Sequence, residues 1–149
     1  MNLASAVQIV ERHRTGILQK SGSSWENYIK THQNSPETEK NAGHRALEEM
    51  VARNPERFGL PYSAELYREI GLYAVPNQLL TILDLAAICD NDLYLIELKT
   101  SHEKHSRANR PLRIGRIFFH EIFNISPGLI LIYPAADGTY QSHRINPEF

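Results

Sequence analysis

Apolar residues recur at helical spacing along the first part of the chain. The stretch from Leu3 to Leu18 has apolar residues three or four positions apart, which predicts a first helix. The sequence "SGSS", Ser21 to Ser24, interrupts this pattern and can cap a second short helix. That helix would carry Trp25, Tyr28 and Ile29.

The clearest helix start in the chain is "SPETEK", where Ser35 can be the N-cap and Pro36 the first helical residue. The helix is expected to end near Asn54, because Pro55 disfavours continuation. At about 100° per residue, Glu39 shares one face with small and apolar residues, and we expect that face to pack on a sheet. Those residues are Ala42, Gly43, Ala46 and Met50. Leu47 and Val51 extend that face, and Glu48 points the opposite way.

The remainder of the chain alternates between strand patterns and one helix pattern. Apolar runs predict a strand at Leu66 to Val75, two strands within "LTILDLAAICDNDLYLIELKT", and a buried strand at Leu129 to Tyr133. A turn at Asp137–Gly138 precedes a last strand, and a broad apolar side predicts a helix from Pro111 to Phe123. The order α, α, β, β, β, α, β, β favours the α/β (α+β) class, with a central mixed sheet of about five strands flanked by helices.

Composition narrows the class of protein further. With 149 residues and 42% hydrophobic content, the chain suits one domain, with an N-terminal helical extension (1–34) and a core (35–149). The net charge of −1 means that any nucleic-acid surface must be a local patch. A single cysteine, Cys89, excludes an intramolecular disulfide framework and a four-cysteine zinc site. The absence of a signal-peptide pattern and of a long apolar window predicts a cytoplasmic protein that does not span a membrane.

Three charged residues interrupt the apolar runs of the two central strands. Asp84 lies in the first strand, and Glu97 and Lys99 lie in the second. Because strand side chains alternate between faces, Leu83 and Leu85 should share one face while Asp84 lies on the other. By the same alternation, Glu97 and Lys99 project side by side.

The loop between these strands sets their register. With Asp90–Asn91 as a two-residue turn, Cys89 faces Asp92, and five residues further out Asp84 lies opposite Glu97. Directly opposed side chains have Cβ atoms about 5 Å apart. Two carboxylates at that distance repel each other unless one keeps a proton or a divalent cation lies between them.

The pattern of "LD", a turn and then "IELK" resembles the PD-(D/E)XK nuclease superfamily, which includes restriction-endonuclease-like and Holliday-junction-resolvase-like proteins. Asp84, Glu97 and Lys99 match the two acids and the lysine of the motif, while Leu83 stands where the motif has proline. The resemblance covers roughly residues 39–133, as a helix, a three-strand meander, a helix and a further strand. It implies a restriction-endonuclease-like core with an extra N-terminal helical segment.

The resemblance also implies a metal site and catalytic residues. Asp84, Glu97 and the backbone carbonyl of Leu98 would bind Mg²⁺, or Mn²⁺, and Lys99 would position or deprotonate the attacking water. An acid on the preceding helix often joins the metal shell, and Glu39 is the best match because it lies on the predicted packing face. Weaker choices are Glu37 and Glu48.

Basic residues are concentrated just downstream of the motif. Between residues 99 and 116 the only acid is Glu103. Such a patch can contact the phosphate backbone, although a run of basic residues can also be a solvated helix face. The residues expected to bind nucleic acid are Lys104, Arg107, Arg110, Arg113 and Arg116.

Taken together, the motif and the basic patch predict a metal-dependent DNA endonuclease that cuts internally. The alternatives are a non-catalytic nucleic-acid-binding module on the same fold, or an interaction domain in which Asp84 and Lys99 form an ordinary strand ion pair. Resolvase, restriction, repair and homing roles all stay open. Because cutting both strands generally needs two sites, we expect a homodimer or higher homo-oligomer with the N-terminal segment as the candidate contact.

Overall fold

The predicted sheet and its flanking helices are confirmed by a computed structural model, which describes residues 2–38, 41–74, 77–101 and 105–146, with only the backbone for 105–108. Five strands form one open mixed sheet in the order β1-β2-β3-β4-β5. The elements are α1 (Leu3–Ser21), α2 (Trp25–His32), α3 (Ala42–Arg53), a short 3₁₀ helix (Pro55–Phe58), β1 (Glu65–Ala74), β2 (Gln78–Cys89), β3 (Asp92–Leu98), α4 (His105–Phe123), β4 (Gly128–Pro134) and β5 (Tyr140–Ile145).

The connection lengths explain the strand directions. Short loops join β1 to β2, β2 to β3 and β4 to β5, and these pairs are antiparallel. The chain crosses over through α4 between β3 and β4, which are therefore parallel, with Ile96 paired to Ile130. β4 is buried on both faces, as its uninterrupted apolar run predicts, whereas β5 is a largely exposed edge strand.

The sheet has a hydrophobic cluster on each face. On one face, called the α4 face below, α1, α2 and α4 pack against the strands. On the other, called the α3 face, α3 and the 3₁₀ helix do so. Ala6, Val10 and Ile29 of the N-terminal segment are fully buried in the first cluster together with Phe118 and Phe119 of α4. The first two helices therefore cover one face of the sheet instead of standing apart from it.

The third helix does not begin where the sequence predicts. Its N-cap is Asn41, whose side-chain oxygen accepts from the amide of His44 at 3.0 Å, so the predicted start at Ser35 is wrong. Ser35 instead donates its backbone N–H to the carbonyl of Glu69 in β1 at 2.9 Å. The predicted end at Asn54 is confirmed.

The packing face of α3 agrees with the prediction only in part. Leu47 and Val51 are buried as predicted, but Ala42, Gly43 and Ala46 are exposed, and Glu48, which was predicted to point the opposite way, is buried. Large aliphatic side chains remove more apolar area from water than small ones, so they decide which face turns inward.

Helix α4 begins at His105, six residues before the predicted start at Pro111. Pro111 thus lies inside the helix, where its ring removes one intrahelical hydrogen bond. The helix approaches the sheet closely at Gly115, because an added Cβ there would lie only 2.7 Å from Leu95 Cδ1. Among the described residues, no helix is long and apolar enough to cross a membrane.

The aromatic core on the α4 face should contribute strongly to stability. Phe118 is fully buried and its ring lies 5.0 Å from that of Tyr28, so Phe118→Ala should lower the free energy of unfolding by roughly 3–5 kcal/mol. Tyr62→Ala is the control, because Tyr62 is 80% exposed and its loss should change stability by less than about 0.5 kcal/mol. Urea unfolding followed by circular dichroism measures both, and equal effects would contradict this description of the core.

Candidate functional site

The predicted register of the β2–β3 hairpin is confirmed. Cys89 pairs with Asp92 across the loop, and Asp90 adopts the left-handed conformation with φ of 54°. Paired residues continue outward as far as Leu85 with Ile96. The next step in the same register brings Asp84 opposite Glu97.

At this step the two strands stop pairing through their backbones. The amide of Leu98 donates to Asp84 Oδ2 at 2.7 Å, so a side-chain carboxylate takes the position of a strand carbonyl. On its other side β3 stays paired with β4, and the amide of Lys99 donates to the carbonyl of Ile132 at 2.8 Å. Asp84 and Glu97 are only 4% and 6% exposed, whereas Lys99 is half-buried.

The alternation of side chains breaks at the same level of the sheet. Leu83 belongs to the cluster on the α4 face while Leu85 belongs to the cluster on the α3 face, so the prediction that they share a face is wrong. β1 shows the same break, because Leu66 packs on the α3 face and Ile70 on the α4 face. Between them Glu69 has a positive φ of 56°, and this left-handed residue interrupts the pleat.

Two contacts fix the position of α3 above the site. Near its N-terminus, His44 Nε2 lies 3.3 Å from the carbonyl oxygen of Leu98 in β3. One turn later, Glu49 Oε2 accepts from Arg68 of β1 at 2.6 Å, and this hydrogen bond lowers the pKa of the Glu49 carboxyl. Glu48 follows His44 by one turn and directly precedes Glu49, and it is only 1% exposed.

The buried acid of α3 is therefore Glu48, which the sequence ranked below Glu39. Glu39 itself lies outside the described residues. Glu37 is exposed and accepts from the hydroxyl of Tyr73 at 3.1 Å. The predicted start at Ser35 favoured Glu39, while the position of Glu48 beside Leu47 on the apolar face was the signal that could have corrected it.

His44 is a site residue that sequence reasoning missed. A carbonyl oxygen only accepts hydrogen bonds, so Nε2 acts as the donor in this contact, while Nδ1 lies 3.4 Å from the side-chain oxygen of Asn41. The spacing from His44 to Glu48, four residues along one helix, places both side chains on the same face. A cation bound to the Leu98 carbonyl, as the family resemblance implies, would take the position of this N–H.

The site is rich in buried carboxylates. Four acids of the described chain are buried: Glu48, Glu69, Asp84 and Glu97. No lysine or arginine among the same residues is buried to that degree, and one carboxylate oxygen of Glu69 has no hydrogen-bond partner there. Hard divalent cations such as Mg²⁺ take carboxylate and carbonyl oxygens, so the donor set fits such an ion. In the described ranges, however, no three His, Cys, Asp or Glu side chains are already arranged around a metal position.

The basic residues predicted to bind phosphate differ from one another in how exposed they are. Arg110 is exposed on α4, while Arg113 and Arg116 are half-buried and their Nε atoms are fully buried. Lys104 lies outside the described residues, and Arg107 belongs to the part of α4 known only from its backbone.

Comparison with known proteins adds no identification. No protein-family model matches the chain, and a search of curated proteins finds no similar sequence. The chemistry of the site must therefore be argued from its own residues.

The hydrogen bond between Leu98 and Asp84 predicts different effects on stability for two substitutions of Asp84. Asp84→Ala leaves the buried amide of Leu98 without its acceptor and should cost about 1–3 kcal/mol of stability. Asp84→Asn keeps an acceptor oxygen and removes one buried charge, so its stability should stay within about 1 kcal/mol of wild type. Urea denaturation curves compare the variants, and an equal loss in both would contradict the structural role of this bond.

Proposed function

We propose that the protein is a divalent-metal-dependent DNA endonuclease of the PD-(D/E)XK type, which hydrolyses internal phosphodiester bonds. The observation that carries this proposal is the buried pair Asp84 and Glu97 where β2 and β3 separate, with Lys99 two residues after Glu97. The order of a helix, an antiparallel three-strand meander, a crossover helix and a parallel strand supports it, because the resemblance implies that order.

Asp84 and Glu97 are the residues proposed to hold Mg²⁺ or Mn²⁺, with the Leu98 carbonyl and Glu48 as further oxygen donors. When bound, the cation supplies Lewis-acid stabilisation of the phosphoryl oxygens and makes water more acidic. Asp84 is held rigidly for this role by the Leu98 amide. Burial of the acids strengthens their attraction for a cation, because the low local dielectric weakens screening.

Lys99 is proposed to orient the attacking water and to offset the negative charge that grows on the phosphate. Its backbone is anchored to β4 through Ile132, which fixes where the side chain leaves the strand. The residue as a whole is half-buried. Preorganised charges of this kind commonly change turnover by roughly 10²–10³-fold.

The basic residues after the motif are proposed to bind the DNA backbone. They are Lys104, Arg107, Arg110, Arg113 and Arg116, in the segment that leads into and along α4. A cytoplasmic location and a symmetric homo-oligomer belong to the same proposal.

A cleavage assay tests the enzyme. Plasmid and branched DNA are incubated with Mg²⁺ and either wild type, Asp84→Ala or Lys99→Ala, with Asp92→Ala as the control because it is an exposed acid at the far end of the same hairpin. Both site variants should lose activity by roughly 10²-fold or more while the control retains it. Activity that survives both substitutions would overturn the assignment.

The same set of proteins separates catalysis from binding alone. DNA retention in gel-shift experiments that is equal with and without Mg²⁺, combined with no cleavage, would favour a non-catalytic binding module. Faster cutting of branched than of linear DNA would indicate a junction-directed substrate.

The oligomer is tested by sedimentation velocity at the concentration used for cleavage. We expect a homodimer, because one chain offers one site and cutting both strands generally needs two. A monomer under those conditions would contradict the predicted homodimer. It would not contradict the cutting of a single strand, for which one site is enough.

A further inference from the structure

The two edges of the sheet differ in what covers them. Along the outer edge of β1, the carbonyls of Arg68 and Glu69 accept from backbone amides of the segment after α2, at 2.8 and 2.9 Å. Further along, the hydroxyl of Tyr28 donates to the carbonyl of Gly71 at 3.3 Å and accepts from the amide of Tyr73 at 3.1 Å. These bonds close the edge of β1 from Arg68 to Tyr73, so no second strand can pair there.

The outer edge of β5 makes no such backbone bonds to the described residues. The carbonyl of Ile132 in β4 faces β3, where it accepts from the amide of Lys99. Backbone groups alternate in direction along a strand, so the residues on either side of Ile132 face β5. They pair with Gln141 and His143, whose backbone groups are thereby used within the sheet. The N–H and C=O groups that point outward belong to the remaining residues of the strand's centre: Tyr140, Ser142 and Arg144.

β5 also lacks the features that commonly protect an edge strand, which are bulges, prolines and outward charges. Its six residues pair with β4 without a register shift, and they include no proline and no acid. Its one arginine, Arg144, turns back onto its own chain. The guanidinium lies 5.2 Å over the ring of Tyr94 and donates to the carbonyl of Gly59 at 3.4 Å. The edge is therefore a regular template for another strand.

We propose that the outer edge of β5 pairs antiparallel with the same edge of a second copy of the chain, about a two-fold axis at Ser142. A strand that meets its own copy in this way forms an isologous contact, which closes as a dimer. Ser142 then faces Ser142 of the partner subunit, and Tyr140 faces Arg144 of the partner subunit, so no like charges oppose each other. Each facing pair exchanges two backbone hydrogen bonds, which satisfies the open edge of both copies.

A second copy is the partner because the proposed endonuclease needs two sites to cut both strands, and in this respect the inference rests on that function. The N-terminal helices, which the sequence indicates as the contact, bury Ala6, Val10 and Ile29 in the core of their own chain. Those side chains are not accessible to a partner, whereas β5 is largely exposed.

The strand register relates the axis to the candidate site. Glu97 pairs with Leu131 in β4, and Leu131 pairs with His143 in β5, so Glu97 lies one residue from the level of Ser142. The axis is perpendicular to the joined sheet, so the α4 faces of both copies lie on one side of it. Glu97 and Glu97 of the partner subunit are then roughly 24 Å apart, at about 4.8 Å per strand. This separation is comparable with the width of a DNA duplex, so both sites can reach one molecule.

Disulfide trapping tests the register without DNA or metal. Ser142→Cys sets two cysteines directly opposite each other across the axis, within the distance that a disulfide spans. The controls are Gln141→Cys and His143→Cys, at equally exposed neighbours whose copies lie diagonally, about 7–8 Å apart. Under mild oxidation, Ser142→Cys should form a covalent dimer at least about tenfold faster than either control. Wild type, whose Cys89 is buried, should form none.

Equal trapping at the three positions, or no trapping at residue 142, would overturn the inference. The second of these results is also the one expected if β5 pairs with a strand of a different protein.

A second pair of variants tests association without a covalent bond. Ser142→Pro removes the N–H at the centre of the contact but no bond to β4, because that N–H faces outward. Ser142→Ala keeps the N–H and is the control. In sedimentation velocity, wild type and Ser142→Ala should be dimers at a concentration at which Ser142→Pro is a monomer. A dimer of Ser142→Pro as stable as wild type, or a monomeric wild type, would overturn the inference.

Circular dichroism verifies that Ser142→Pro is folded, and Ser142→Asp serves if it is not, since it sets two like charges opposite each other across the axis. A β5 dimer that cleaves no DNA would leave this inference standing and the endonuclease proposal refuted. DNA cleavage by a protein whose dimer survives Ser142→Pro would have the reverse meaning. If both hold, Ser142→Pro should still nick a plasmid but lose the ability to linearise it.

Discussion

The hydrogen bond from the Leu98 amide to the Asp84 carboxylate is the interaction on which the geometry of the site depends. At this point β2 and β3 cease to pair through their backbones, and a side chain supplies the missing acceptor. The bond orients Asp84, which is buried and lies one residue beyond the last backbone-paired position, where Leu85 pairs with Ile96. The carbonyl of the same residue, Leu98, contacts His44 of α3, so both strands and the helix meet at one residue.

The fold supplies the surroundings that this bond requires. The crossover through α4 makes β4 parallel to β3, and β4 satisfies the outer side of β3 through Glu97 and Leu98 while the inner side opens. Hydrophobic clusters on both faces keep water from the central strands. The acids are therefore held in a site of low dielectric, where like charges repel strongly and opposite charges attract strongly.

Most of the architecture follows from local sequence patterns. Apolar runs predicted four of the five strands, the turn at Asp137–Gly138 indicated the last one, and the two-residue loop predicted the pairing of Cys89 with Asp92. Helix starts were predicted less well, because Ser35 and Pro36 form a good start signal but the backbone of Ser35 bonds to β1 instead. Such a competition between a local signal and a distant strand edge cannot be seen in the local sequence.

By itself, the sequence determined the strand hairpin, its register, and the grouping of Asp84, Glu97 and Lys99 near its open end, since these depend on period-two alternation and turn length. Only the tertiary structure decided that Glu48 is the buried acid of α3, that His44 contacts Leu98, and that Glu69 of β1 is buried. The physical reason is that helix rotation and strand kinks are set by packing between distant segments. Here the buried aliphatic face of α3 fixes which of its acids is buried, and the left-handed residue Glu69 interrupts the pleat of β1.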